Sequence, residues 1–327
     1  MEAKNKDLLS NCSELDFGDV NLADEEKQFR SEMNKEVISL CASLPKSTQA
    51  DALLLFMRYF KVAFGQELSF FTNYYAPSWS IIYWLIQSCP EGKRLELNDI
   101  ENARTAHSMA LLLHPIDDHL NDYQWPATHL ALLLRSQLWM IMNTALNNLA
   151  DGIDGGEEIV RGFLDDYYSG IRNSKEIFSL DSYCDLFRKQ MATGFIAPVL
   201  IIKKRAASEE FAQAIQTAYG SFGIAWRLLD DINDIETDMK KGVHSSVYTL
   251  INDNIRILWN KTIDEKNHDI RGKTLDYVMS NGIVERIKKR ICDELNSAAC
   301  IADECNMTGL ADEFRCLLKP IKNSLNE

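Results

Sequence analysis

The stretch that decides the fold is LLDDINDIETD, residues 228–238, because its acidic residues recur at the spacing of helix turns. Asp230, Asp234 and Asp238 stand at i, i+4 and i+8, so a helix would place them along one narrow face, with Asp231 about 100° away around the axis. Carboxylates stacked in this way repel one another and destabilise a bare helix. Mg²⁺ would offset that repulsion, because it prefers oxygen ligands and commonly combines carboxylates with substrate phosphates. The stretch therefore predicts a metal site, with a solvated acidic surface as the competing interpretation.

The residues before this stretch favour the metal site. Residues 222–229 read FGIAWRLL, and such an apolar run predicts a helix deep in the core. Along the rest of the chain, apolar residues recur at intervals of three and four, and β-branched alternation is almost absent. We therefore predict an all-α protein, with residues 1–24 as a flexible N-terminal arm and residues 25–327 as a single helical bundle around a central active-site cavity.

Glycine and proline residues indicate where the predicted helices end or bend. The DGIDGG run at residues 151–156 predicts a break, and Pro115 and Pro198 predict kinks within helices. The predicted helices span residues 26–43, 48–64, 67–88, 97–121, 127–149, 156–173, 181–205, 208–237, 246–260, 264–280, 282–306 and 309–323.

Composition excludes several classes of protein. The net charge of −13 argues against a nucleic-acid partner, because such proteins need clustered Lys and Arg. No basic start leads into an apolar run, and no apolar stretch is long enough to span a bilayer, so we expect a cytoplasmic protein. The eight cysteines contain no C-x-x-C pair, which favours reduced thiols over a zinc site or a disulfide framework.

Another acidic cluster, PIDDHLND, occupies residues 115–122; in chain order it is the first acidic cluster, and residues 228–238 form the second. Asp118 and Asp122 are i, i+4 neighbours, and Asp117 lies one helical turn from Asn121. This first cluster follows an apolar run, as the second one does, so both are expected at the C-terminal ends of buried helices. Ordinary helix capping is the alternative for this cluster alone. A third pair, Asp165-Asp166, has no acidic i+4 partner and is predicted to lie on the surface.

A diphosphate ligand would also need cations. Lys240 and Lys241 follow the 228–238 stretch directly, Arg227 precedes Asp230 by three residues, and Arg188 and Lys189 precede another apolar helix. Each of these side chains alone is more often solvated than bound to a ligand. Their positions beside the carboxylates make them candidates for substrate binding.

The region from residue 220 to Asp238, with Lys241-Gly242 after it, resembles the second aspartate-rich motif of the trans-polyprenyl diphosphate synthases. That family's pattern reads G-x-A-F-Q-x-x-D-D-x-x-D-x-x-x-D followed by G-K. All four aspartates match it position for position. Trp226-Arg227 replaces the Phe-Gln pair, and Lys-Gly approximates Gly-Lys.

Two further segments carry the resemblance, which spans residues 50–250. The first family motif, D-D-x-x-D, appears here as DDHLN at residues 117–121, with Asp122 one position later. KQMATG, residues 189–194, is similar to the Lys-Thr helix whose lysine contacts diphosphate in the family.

The resemblance implies a class I isoprenoid synthase that ionises an allylic prenyl diphosphate with three Mg²⁺ ions, and it allows a homodimer. Its catalytic aspartates would be Asp117, Asp118, Asp230 and Asp234. The implied metal ligands are Asp117, Asp118, Asn121, Asp122, Asp230, Asp231, Asp234 and Asp238. Arg188, Lys189, Arg227, Lys240 and Lys241 would bind the diphosphate. An aromatic cavity for the allylic cation would draw on Phe70, Phe71, Tyr74, Tyr75, Trp79, Phe195, Phe222 and Trp226.

The chain also departs from the family. Where chain-elongating members carry a G-K-R-L-R-P-like stretch for isopentenyl diphosphate, residues 65–70 read GQELSF and contain no cation. YQWP at residues 123–126 replaces the Arg-Arg-Gly that usually follows the first motif, and Gly92-Lys93-Arg94 lies too near that motif to serve. A second anionic substrate would meet the wrong charge, which argues against isopentenyl diphosphate as co-substrate.

Three functions remain open on the sequence. The leading expectation is a terpene synthase that cyclises or rearranges a C15 to C25 prenyl diphosphate. The first alternative is a prenyltransferase that moves the prenyl group to another acceptor, or to isopentenyl diphosphate in chain elongation. The second alternative is a non-catalytic regulatory subunit of a prenyl synthase, which Asn121 in the first motif allows and the intact second motif disfavours.

Overall fold

The computed structural model describes residues 15–63, 76–89, 95–121, 125–172, 177, 179–205, 207–262 and 268–325. These residues form fifteen α-helices and no strand, which confirms the all-α prediction. The helices are α1 (Asp24–Ser43), α2 (Lys46–Tyr59), α3 (Ala76–Gln87), α4 (Leu97–Asn121), α5 (His129–Ala150), α6 (Gly156–Arg172), α7 (Leu180–Gln190), α8 (Ala192–Lys204), α9 (Glu209–Asn233), α10 (Ile235–Lys241), α11 (Ser246–Leu250), α12 (Asp253–Lys261), α13 (His268–Ser280), α14 (Ile283–Glu304) and α15 (Thr308–Asn323).

The buried helix α8 sets the position of the two acidic clusters. All of its residues from Ala192 to Ile202 are buried, as expected for a helix that is apolar on every side. It packs against α4 and also against α9, the helices that carry the first and second acidic clusters. Helix α9 packs in turn along α14. The apolar character of α8 therefore brings two distant segments of the chain to the same part of the bundle.

Three predicted helices are each divided in two. The 181–205 helix breaks at Met191 rather than at Pro198, which lies inside α8, as Pro115 lies inside α4. The 208–237 helix breaks at Asp234, and the 246–260 helix breaks before α12, where the Asn252 side chain accepts a hydrogen bond from the amide of Ile255.

Helix α6 and the end of α7 approach each other closely. A β-carbon added to Gly170 would lie 2.9 Å from the backbone nitrogen of Gln190, so only glycine permits this approach. The contact holds the last turn of α7 against α6. Its consequence for the site is that Gln190 lies beside the first acidic cluster.

The predicted N-terminal arm is described from residue 15 onward. Leu15 and Phe17 are buried, and the amide of Gly18 donates to the carbonyl of Leu317 over 3.1 Å. The side chain of Asn233 donates to the carbonyl of Leu15 over 3.1 Å. The described part of the arm is thus packed against α15 and the end of α9, and residues 1–14 lie outside the described residues.

Two carboxyl groups meet in the core between α1 and α15. Glu26 and Glu313 are buried, and the indole nitrogen of Trp84 donates to Glu313 Oε1 over 2.7 Å. Burial raises the pKa of Glu313 well above 4.5, and the nearby charge of Glu26 raises it further, while Arg30 opposes the rise. Glu313 therefore remains protonated in the folded protein at pH values where the unfolded chain releases its proton.

Stability should consequently fall as pH rises. The folded state holds more protons than the unfolded state once pH exceeds 4.5, so the free energy of unfolding declines until pH passes the raised pKa of Glu313. We expect the Tm to drop by several degrees between pH 6 and pH 9. Glu313→Gln retains an acceptor for Trp84 and should flatten this dependence, as measured by calorimetry. Glu304→Gln, at an exposed position, is the control and should retain it; an unchanged pH dependence in Glu313→Gln would contradict the assignment.

Two further sequence expectations concern the cysteines and the membrane. The seven cysteines in the described part of the chain all carry free thiols. None of the helices within the described ranges combines the length and the apolar character needed to cross a bilayer.

Candidate active site

The second acidic cluster lies where α9 passes into α10. The amide of Asp234 donates to the carbonyl of Asp230 over 2.9 Å, and the amide of Asp238 donates to that of Asp234 over 2.8 Å. Helical hydrogen bonding therefore continues across the junction and aligns the three aspartates. The side chain of Asp230 is 45% exposed and Asp234 is exposed, whereas Asp238 is buried. These three aspartates, here called the acidic ladder, thus run from the solvent-exposed surface into the protein.

The side chain of Asp231 points away from Asp230, Asp234 and Asp238 and is buried among hydrogen-bond donors. Its side chain is 1% exposed, the Tyr183 hydroxyl donates to Oδ1 over 3.0 Å, and the amide of Ser246 donates to Oδ2 over 2.9 Å. Both oxygens are therefore engaged, and they join α7, α9 and α11. Asp231 lies about 100° around the helix from Asp230 and faces the core, so these contacts favour a structural role, while its role as a metal ligand stays a prediction.

Arg227 lies between the two kinds of aspartate. Its Nε donates to the Tyr183 hydroxyl over 2.8 Å and lies 3.2 Å from Asp231 Oδ1, while its NH1 lies 3.7 Å from Asp230 Oδ2. The guanidinium also lies over the ring of Phe187, 5.8 Å from its centroid. These contacts place a fixed positive charge beside the exposed carboxylate of Asp230.

The first acidic cluster lies at the end of α4. Arg135, on α5, forms a bidentate pair with Asp117 at 2.8 and 3.1 Å, and the Tyr167 hydroxyl donates to Asp117 Oδ2 over 2.8 Å. Asp118 and Asn121 line a small cleft of about 20 Å³ together with Asp117 and Tyr167. Asp122, the other predicted ligand in this cluster, lies outside the described residues.

The electrostatics show that the two clusters are close together. Burial raises the pKa of Asp230 to about 6; Arg227 opposes the rise, and the charges of Asp231, Asp234 and Asp118 add to it. Burial also lowers the pKa of His114, on which Asp118 and Arg227 act with opposite signs. Since Coulomb interactions weaken with distance and with intervening solvent, the interaction of Asp118 with Asp230 indicates that the two clusters lie in the same part of the bundle.

Asp238 continues the ladder on the buried side. Burial raises its pKa to about 7, the charge of Asp231 adds to the rise, and the charge of Arg227 opposes it. This carboxyl therefore holds its proton to higher pH than an ordinary aspartate does. A cation bound nearby would favour its ionised form.

An apolar cavity of about 110 Å³ lies beside the clusters. Three of the predicted aromatic residues line it, namely Trp79, Phe222 and Trp226. His114 lines both this cavity and the cleft of Asp117 and Asp118, so the two spaces share a wall. The remaining lining residues are Tyr59, Ser78, Ala110, Leu111, Pro115, Phe187, Met191, Thr193, Gly194, Tyr219 and Gly223, so within the described part of the chain its wall contains no Lys or Arg.

The other predicted aromatic residues are not brought to this cavity. Phe195 packs edge-on against Tyr219, with ring centroids 5.6 Å apart, and is absent from the lining. Phe70, Phe71, Tyr74 and Tyr75 lie outside the described residues.

Four of the predicted substrate-binding cations lie elsewhere. Arg188 pairs with Asp185 at 2.7 Å and with Glu294 at 3.7 Å, which directs it toward α14. Lys189 is exposed and lines a separate groove, whereas Gln190 lines the Asp118 cleft. Lys240 pairs with Glu236 at 3.6 Å on the exposed side of α10, and Lys241 is also exposed. Of the predicted cations, only Arg227 lies among the aspartates.

The donor set suits Mg²⁺ bound jointly by protein and ligand. Among the described residues, no three His, Cys, Asp or Glu side chains converge tightly enough to hold a metal without other ligands. Mg²⁺ typically binds one or two carboxylates and completes its shell with waters and substrate phosphates. Asp118 on one side and Asp230 on the other provide oxygen ligands of this kind, and the repulsion that raises the pKa of Asp230 is relieved by a cation. The residues present therefore fit the ion.

Sequence reasoning missed Arg135, Tyr167, Tyr183 and His114. The first three lie on different helices from the aspartates they contact, so no spacing along one helix links them, whereas His114 lies one helical turn before Asp117 and Asp118. The polar character of His114 inside an otherwise apolar run, ALLLH at residues 110–114, was the one available signal.

Comparisons by sequence give no relatives: no protein-family model matches the chain, and no curated protein matches it. Comparisons by structure do. A geranylgeranyl pyrophosphate synthase from Corynebacterium glutamicum superposes with a TM-score of 0.64 at 16% identity, over 96% of this chain and 98% of that one. Heptaprenyl diphosphate synthase from Staphylococcus aureus superposes with a TM-score of 0.66 at 11% identity, over 94% and 99% of the two chains. The Corynebacterium enzyme complexed with isoprenyl diphosphate and magnesium gives 0.60 at 13% identity, over 90% and 99%.

These likenesses establish the class of fold. The chain has the class I isoprenoid synthase fold, in the form found in the trans-prenyl diphosphate synthases. That confirms the fold expected from the resemblance in residues 50–250, and the superposition extends over nearly the whole chain.

Proposed function

We propose that this protein is a Mg²⁺-dependent prenyltransferase that ionises an allylic prenyl diphosphate and joins the prenyl group to an acceptor. The observation that carries the proposal is that an aromatic cavity and the cleft of Asp117 and Asp118 share His114 as a wall, with Asp118 near enough to Asp230 to raise its pKa. A charged head and an apolar tail are the two features such a substrate presents. The solved structures with this fold are named as prenyl synthases, and one of them contains isoprenyl diphosphate and magnesium.

In this proposal the aspartates bind the metal, and the aromatic residues surround the prenyl group. Asp118, Asp230 and Asp234 would hold Mg²⁺, which supplies Lewis-acid stabilisation to the departing diphosphate. Breaking the C1–O bond leaves the electron pair on the diphosphate and a cation on the allyl group. Trp79, Phe222 and Trp226 would surround that cation with ring faces and exclude water. The π electrons of a double bond in the acceptor would then form the new bond to C1, and the resulting cation would lose a proton to the released diphosphate.

Cyclisation of the substrate by its own double bond is the second candidate. It is favoured by the apolar cavity, whose described lining contains no Lys or Arg to bind a second diphosphate. The absence of cations from GQELSF at residues 65–70 supports it from the sequence, although these residues lie outside the described part of the chain.

Products distinguish these activities. Purified protein would be incubated with C10, C15, C20 and C25 prenyl diphosphates and Mg²⁺, with and without isopentenyl diphosphate, and the products analysed by mass spectrometry. A longer diphosphate formed only with isopentenyl diphosphate supports chain elongation. Release of diphosphate with a hydrocarbon or alcohol product, without any acceptor, supports cyclisation instead. Failure to release diphosphate from any substrate under either condition would falsify the proposal and favour a non-catalytic subunit.

A further inference from the structure

The segment that precedes α1 connects two helices that are distant in the chain. Residues 15–18, here called the N-terminal strap, lie against α15 and reach the last residue of α9. The side chain of Asn233 donates a hydrogen bond to the carbonyl of Leu15 over 3.1 Å. Asn233 directly precedes Asp234, so the strap meets α9 next to the acidic ladder.

The N-terminal strap is seated closely on α15. Leu15 and Phe17 are buried in the hydrophobic core. The amide of Gly18 donates to the carbonyl of Leu317 over 3.1 Å. A β-carbon added to Gly18 would overlap the backbone oxygen of Cys316, so only glycine permits this approach. Because α15 packs along α14, and α14 packs along α9, the strap is attached to the same group of helices that carries the acidic ladder.

The junction of α9 and α10 is not a continuous helix. Helix α9 ends at Asn233 and α10 begins at Ile235, and the backbone of Asp234 between them has φ of −100° and ψ of 10°. When all three carboxylates are ionised, those of Asp230 and Asp238 repel that of Asp234, because like charges one helical turn apart repel one another. The alignment of the three side chains therefore depends on the contacts that hold this junction.

We infer that the N-terminal strap positions the acidic ladder, because its hydrogen bond with Asn233 holds the junction of α9 and α10. Asn233 is a positioning residue, which acts through the backbone of Asp234 and binds no ligand itself. The contact of Gly18 with α15 determines where the strap lies, and so whether Leu15 reaches Asn233. The inference rests on the proposed function, since the acidic ladder is the proposed metal site.

Hydrogen exchange tests this positioning without a metal. Two variants of the full chain release the strap in different ways: Asn233→Ala removes the donor, and Gly18→Ala displaces the strap because the added methyl group overlaps Cys316. We expect the peptide over residues 230–240 to exchange about fivefold faster in both variants, as for the loss of one hydrogen bond. A peptide over residues 212–222, within α9, should exchange as in the wild-type protein. Unchanged exchange over residues 230–240 overturns the inference.

Metal binding tests the consequence for the acidic ladder. Mn²⁺ replaces Mg²⁺, and electron paramagnetic resonance measures its binding in the presence of inorganic diphosphate. Both variants should bind Mn²⁺ about fivefold more weakly than the wild-type protein. The double variant should bind no more weakly than the weaker single variant, because both substitutions break the same connection. A loss of stability in urea with unchanged Mn²⁺ affinity would give the strap a purely structural role and overturn the inference.

The matched controls are Asn148→Ala and Gly162→Ala. Asn148 is an exposed asparagine whose side chain donates to Asn102, and a β-carbon at Gly162 meets no atom within 4 Å. Both controls should retain the exchange rates and the Mn²⁺ affinity of the wild-type protein. Because Asn233 is exposed, its variant keeps the test available if Gly18→Ala does not fold. A wild-type protein that binds no Mn²⁺ with diphosphate overturns the proposed function, while the exchange experiment still decides whether the strap holds the junction.

Discussion

Replacing Asp230 by asparagine should slow Mg²⁺-dependent diphosphate release by about a thousandfold, because several kcal/mol of charge stabilisation depends on the metal that this carboxylate helps to hold. Asparagine keeps the shape of the side chain and removes its charge. Asp230 is 45% exposed and makes no hydrogen bond from its side chain that the described structure records, so the fold should not suffer. The rate would be measured as release of inorganic diphosphate from a prenyl diphosphate, in parallel with urea unfolding.

The control for this loss is Asp165→Asn. Asp165 belongs to the exposed acidic pair on α6 that lacks an i+4 carboxylate, and its replacement should leave the rate within about twofold. The pH profile adds a second check. Metal ligands bind as carboxylates, so Mg²⁺ affinity should rise as pH passes the raised pKa of Asp230, about 6. A full rate in Asp230→Asn would remove this carboxylate from the mechanism.

Asp231→Ala should affect stability rather than the rate. We expect the free energy of unfolding to fall by about 3–5 kcal/mol, because the substitution breaks a buried ion pair by removing one partner. Arg227 would lose its nearest carboxylate, and the amide of Ser246 and the hydroxyl of Tyr183 would lose their acceptor. Urea unfolding monitored by circular dichroism measures the change.

Because Asp230 and Asp231 are neighbours in sequence, the two variants serve as controls for each other. Asp230→Asn should lower activity at nearly unchanged stability, while Asp231→Ala should unfold at much lower urea concentration. If Asp231→Ala is as stable as the wild-type protein but loses Mn²⁺ binding in the presence of diphosphate, Asp231 is a metal ligand after all and the structural role assigned to it is wrong.

The sequence predicted most of the fold because helical periodicity is a local property. The bounds of α4, residues 97–121, match the prediction at both ends, and the acidic ladder of Asp230, Asp234 and Asp238 continues across the junction of α9 and α10 as its spacing requires. The break at Met191 was missed, since nothing in the local sequence marks it. It lies beside the close approach of α6 at Gly170, which depends on tertiary packing.

The candidate site was predictable only in part, for a related physical reason. Spacing along one helix determines which aspartates share a face, but it does not reveal which side chains on other helices reach them. Arg135 and Tyr167 contact Asp117 from α5 and α6, and Tyr183 contacts Asp231 from α7. The lysines selected for their nearness in sequence, Lys189 and Lys240, face other parts of the surface for the same reason.

Helix α4 borders both the apolar cavity and the cleft of Asp117 and Asp118, so the size of the cavity and the position of these carboxylates are linked. Ala110, Leu111 and His114 border the apolar cavity that we propose for the hydrocarbon tail, and the next helical turn carries Asp117 and Asp118, which line the cleft that we propose for the head group. A rotation or shift of this one helix that enlarges the tail space also displaces the carboxylates. Changes that adapt the protein to a bulkier tail on this side would therefore be confined to side-chain volume at positions 110 and 111, with the backbone of α4 held in place.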